Sequence, residues 1–126
     1  MSDPNETPQF VVRIQERAVR DINAAHVRLA ELTSRENANL WRTGLTDAIK
    51  KLATMPRRFP IAPEPFADEV RQLVYRREGN RTAHRVLFTV TDQPTDTVPT
   101  PTVIILHVRH AAARPLTRRQ AREIMG

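Results

Sequence analysis

The chain has no cysteine and only three glycines, Gly44, Gly79 and Gly126. Without cysteine there are no disulfides, no thiol nucleophile and no thiolate zinc site. With glycines so few and so far apart, no glycine-rich phosphate loop can be built. The four histidines show neither HxH nor HxxxH spacing, so no metal or other cofactor is expected. No Ser-His-acid motif stands out. No apolar run is long enough to cross a bilayer. The opening MSDPNETPQ is polar and lacks the apolar centre of an export signal. A cytoplasmic protein with no membrane partner is therefore expected, and the missing cysteines agree with this. Lysine is nearly absent too, being confined to Lys50 and Lys51.

What is abundant is arginine. The net charge of +6 is uneven: residues 1–55 carry +1 and residues 56–126 carry +5. A guanidinium is a planar fork that matches phosphate and carboxylate. A basic half fits nucleic acid or an acidic protein partner, and it fits equally a solvated surface. At 126 residues the chain has the size of one domain, and such a chain buries roughly two-thirds of its unfolded surface without staples. Residues 1–8, polar and with two prolines, read as disordered; residues 9–126 read as the domain.

Phe10, Val11 and Val12 suggest a short strand. Ile14, Ala18, Ile22, Ala25, Leu29 and Leu32 then recur at helical spacing. Thr33 with Glu36 reads as a capping box that opens a second helix. Its stripe is Ala38, Trp41, Leu45, Ala48, Leu52 and Met55, and Pro56 stops it. The short link implies an antiparallel helical hairpin. Residues 56–68 hold four prolines and read as an extended connector. VRQLVYRR, AHRVLFTVT and TVIILHVRH read as three strands, separated by EGNRT and by DQPTDTVPTP. The last is the most apolar and is expected at the centre of the sheet. Thr117 with Gln120 marks a second capping box and a short C-terminal helix. The sum is an α+β fold of order β-α-α-β-β-β. Its sheet should be small and mostly antiparallel, with the hairpin on one face and the other face open.

MPRRFPIAPE, VRQLVYRR, HRVLFTV and VIILHVRHAAARPLT, in this order and spacing, resemble the RelE/ParE superfamily of toxins (the plasmid stabilisation proteins) from type II toxin–antitoxin systems. The resemblance spans roughly residues 10 to 117. It implies a small basic toxin neutralised by a cognate antitoxin encoded beside it. One branch of that superfamily cleaves mRNA on the ribosome; the ParE-like branch poisons DNA gyrase and does no chemistry.

Cleaving RNA with its own 2′-hydroxyl needs a base, an acid and a cation at the phosphorane. The resemblance to the YoeB-like nucleases implies these roles at three positions. Glu64, in Pro63-Glu64-Pro65, would be the base, and Arg85, in His84-Arg85-Val86-Leu87, the phosphate ligand. His110 would be the acid. Where those nucleases end in His-Tyr, Ala111 follows His110 here and the chain runs on. Each residue also has a structural reading. Glu64 fits an exposed acid, Arg85 a partner of Glu69 or Asp92, and His110 a hydrogen-bonded strand end. Arg71 would join Arg85 in a phosphate clamp if their faces coincide. Tyr75 fits base stacking or the rim of the core. Arg76, Arg77, Arg109 and Arg114 complete the RNA-binding candidates, with Arg118, Arg119 and Arg122 beyond them. The expected function is that of a toxin acting as a metal-independent, ribosome-dependent mRNA endonuclease. The alternatives are a non-catalytic inhibitor of gyrase and a degenerate toxin that only binds its antitoxin.

Overall fold

A computed structural model describes residues 9–92 and 100–126. Residues 1–8 and most of the loop after Asp92, expected disordered and irregular, lie outside the described residues. The elements are β1 (Val11–Ile14), α1 (Glu16–Leu32), α2 (Arg35–Lys50), β2 (Arg71–Tyr75), β3 (His84–Thr91), β4 (Thr102–His110) and α3 (Arg118–Met125). The sheet order is β1-β4-β3-β2. β1 runs parallel to β4, and the other neighbours are antiparallel. The most apolar strand is central, as expected, because both of its faces are covered.

The hairpin of α1 and α2 packs on one face. Trp41, Leu45 and Ile49 from α2 and Ala18 and Leu29 from α1 meet Leu73, Val86, Phe88, Val103, Ile105 and Val108. Trp41 is almost wholly buried, and its ring lies 5.0 Å from that of His84. Directly opposed residues of an antiparallel ladder share a face. Register therefore puts Arg71 with Phe88, Leu73 with Val86, and Tyr75 with His84 on the hairpin side. Leu87 opposes His107 and Phe88 opposes Ile105, so Leu106 is the extra residue of a bulge.

The expected open face is not open. The proline-rich connector folds back across it: Ala62 N–H donates to Val70 O at 2.8 Å, and Ile61 bridges Arg71. α3 covers the rest. Ala62, Val70, Leu87, Leu106, Leu116 and Ile124 make a second, smaller core there. The reason is local. Prolines stiffen the connector without deciding where it goes, and an apolar stripe on α3 needs something to cover.

Boundaries shift in three places. Ile14 closes β1 instead of opening α1. Ser34, not Thr33, caps α2: its Oγ accepts from Asn37 N–H at 3.0 Å, while Thr33 Oγ1 donates back to Leu29 O at 2.7 Å. α2 ends at Lys50, and a 3-10 turn over Lys51–Ala53 follows. Met55 then adopts φ 48° and faces solvent, so it leaves the stripe. Leu32 also points outward, 70% exposed.

Candidate functional site

Glu64 is not an exposed acid. The folded connector carries its carboxylate against Leu116, ahead of α3, where the side chain has no exposure. Arg85 alternates with Val86 and so faces the same side. Its Nη1 and Nη2 donate to the two Glu64 oxygens at 2.7 and 2.6 Å, a bidentate fork. Arg85 Nε donates to Gln72 Oε1 at 2.8 Å, and Leu116 N–H donates to Glu64 Oε2 at 3.2 Å. The partners Glu69 and Asp92 weighed for Arg85 are engaged elsewhere, with Arg71 and Arg57. The Arg85 hydrogen bonds hold the Glu64 carboxyl below its ordinary range against the opposing effect of burial, and the Leu116 N–H helps them. A carboxylate so placed is a poor proton acceptor.

The phosphate clamp of Arg71 with Arg85 does not form, because the two lie on opposite faces of the sheet. Arg71 instead staples the connector. It pairs with Glu69 and donates to Phe59 O at 2.7 Å and Arg57 O at 3.1 Å. Arg77 donates to Asn37 Oδ1 at 2.9 Å and ties the end of β2 to α2. Arg109, opposite Arg85 in register, donates to Arg114 O at 2.7 Å. Arg76 and Arg114 are exposed. Tyr75 is half-buried and its hydroxyl sits against Gly44. Burial raises its pKa.

His110 opposes His84 across β3 and β4, with ring centroids 5.6 Å apart. Its Nδ1 accepts from Ala112 N–H at 3.0 Å, and the ring is exposed. His84 is buried beneath it, and desolvation, with repulsion from His110, pushes its pKa down to about 4. Both histidines line a cleft of about 830 Å³ between α1 and the turn that joins β2 to β3. The structure thus brings Glu64 and Arg85 together with Arg109 beside them. It does not bring His110 to them: His110 shares the hairpin side with His84.

Sequence reasoning missed three features. One is the cleft. A second is the buried role of His84, which stood in the sequence only as the start of a motif. The third is Asp21 on α1: its Oδ2 accepts Val108 N–H at 3.0 Å and lies 2.7 Å from His107 Nδ1. The place of His84 depends on cross-strand register, which alternation alone does not fix, and the cleft and the Asp21 contact depend on how α1 sits on the sheet. Among the described residues no three histidines or acids gather as metal ligands would, and no helix is long and apolar enough to cross a membrane.

No family model and no curated protein matches the chain. A solved structure described as "Chromosomal ParDE TA system from P. aeruginosa" does. At 17% identity it aligns over 81% of this chain and 96% of that one, with a TM-score of 0.58. The chain therefore carries the RelE/ParE-like fold that its sequence phrases suggest.

Proposed function

We propose that this chain is the toxin half of a toxin–antitoxin pair and that it acts by occupying a target, as the ParE-like branch does, without cleaving RNA. Fold likeness to a ParDE toxin–antitoxin protein supports the first part. One observation carries the second: the only carboxylate in the Pro-Glu-Pro position is buried in a bidentate pair with Arg85. A base must lie within hydrogen-bond reach of the 2′ proton. The Glu64 side chain has no exposure and already accepts three donors. The target in this reading is DNA gyrase, and the partner is an antitoxin encoded beside the toxin gene.

The nuclease reading retains one support, the exposed imidazole of His110 at the mouth of a cleft. It requires Glu64 and Arg85 to separate and the segment at Leu116 to move off the carboxylate. The test is induction in a host lacking the antitoxin, with RNA 5′ ends mapped and purified gyrase assayed for supercoiling. Growth arrest with intact transcripts and inhibited supercoiling is expected. New 5′ ends within translated codons, lost in His110→Ala, would replace this reading with the nuclease.

A further inference from the structure

The cleft between α1 and the β2–β3 turn is lined by apolar and basic residues. Its apolar wall is Ala25, Leu29, Leu32 and Val108, and no acidic residue lines it. Arg28 stands on the α1 side and Arg81 on the turn side, both exposed. Neither forms an ion pair among the described residues. Three lining residues hold buried nitrogens without a hydrogen-bond partner, Asn80 Nδ2, His84 Nδ1 and Arg109 Nε. His84 is only 8% exposed. Leaving a buried polar atom unpaired costs roughly 1–3 kcal/mol, so an occupant toward which these side chains turn would gain their hydrogen bonds. The cleft volume falls within the roughly 300–1,000 Å³ of small-molecule sites, which combine apolar walls with a few placed polar groups.

The geometry points to a binding site for a nucleoside phosphate in this cleft. Two guanidiniums with no carboxylate between them match a doubly charged phosphate better than a single carboxylate, and each offers it a fork of donors. The wall of Leu29, Leu32 and Val108 takes a flat apolar body. The exposed ring of His110 offers it a face, and because Nδ1 already accepts the Ala112 N–H, Nε2 is left to donate. Asn80 supplies an amide that reads base or ribose. This site lies on the hairpin side of the sheet and reaches Arg109 but is lined by neither Glu64 nor Arg85, and its existence does not rest on the toxin reading.

The test is titration of the full chain with adenosine and guanosine monophosphates, using inorganic phosphate and adenosine as controls. Calorimetry gives affinity, and the imidazole NMR signals of His110 report occupancy in the unaltered protein. Saturable binding at least tenfold tighter than either control is expected, with the His110 signals shifted. The double variant Arg28→Ala/Arg81→Ala should weaken binding tenfold or more, and both side chains are exposed, so circular dichroism should be unchanged. Any of three results overturns the proposal. One is no saturation with either nucleotide at millimolar concentration. Another is equal affinity for inorganic phosphate, or for the folded double variant. The last is an acidic amphipathic peptide that fills the cleft and shifts His110 where no nucleotide does.

Discussion

Glu64 carries a charge in a place closed to water, and its value to the molecule depends chiefly on Arg85. Removing one partner of a buried pair strands the other and costs about 3–5 kcal/mol. Glu64→Ala is therefore expected to lose stability on that scale in chemical denaturation. Replacing both residues, as Glu64→Leu with Arg85→Met, should recover most of the loss, since apolar substitutes for a buried pair are often close to neutral. A double variant as damaged as the single one would contradict this account. His84 gives a second residue-scale expectation. The unfolded imidazole titrates near 6.5 and the folded one near 4. Between these values the unfolded chain binds more protons, so stability falls as pH drops through that window, by up to about 3 kcal/mol at its lower end. Melting curves from pH 7.5 to 4.5 should show this loss, and His84→Gln should flatten it above the carboxylate range. The motifs holding Glu64 and Arg85 were visible in the sequence. Their bond to each other was not, because it is made by a connector whose prolines record stiffness and not direction.

At the scale of elements, the sequence was most legible where signals are local. The capping box of α3 is present as read: Thr117 Oγ1 accepts from Gln120 N–H at 3.2 Å, and Gln120 Oε1 accepts from Thr117 N–H at 2.9 Å. Thr117→Ala should cost about 1 kcal/mol. Two local signals competed at α2, and Ser34 won the cap from Thr33. Gly44 lies inside α2, where glycine ordinarily costs a helix about 1 kcal/mol relative to alanine. Here a Cβ would collide with the Tyr75 hydroxyl and ring. Gly44→Ala is therefore expected to destabilise, the reverse of the helix-propensity rule, and the sign of its melting shift decides between the two. Pairing it with Tyr75→Phe should relieve part of the clash. No sequence pattern announced this contact, because it joins a helix to a strand far along the chain.

For the whole molecule, the sequence yielded the order of elements and the central place of β4, since four consecutive apolar residues, Val103 to Leu106, leave few other positions for a strand. It did not yield a sheet covered on both sides. The stripe of α3 is short, and the connector reads as a linker, so neither declared that it would pack. The consequence is measurable. Ending the chain after Ala112 uncovers Val70, Leu87 and Leu106 and removes the Leu116 N–H from Glu64. That truncated chain should melt lower and bind a hydrophobic dye that the full chain ignores. Unchanged melting would mean that α3 rests on the sheet without contributing to it.

The parallel pairing of β1 with β4 also has a bearing on biogenesis. Val11 has no partner until Thr102 exists, and β3 lacks its larger neighbour until the same point. A nascent chain can form the helical hairpin early, from contacts close in sequence, but the sheet must wait for distant ones. Whatever this protein binds through its folded surface, it stays incompetent on the ribosome until β4 has emerged. Competence is thus tied to the emergence of β4 and not to that of the helical hairpin.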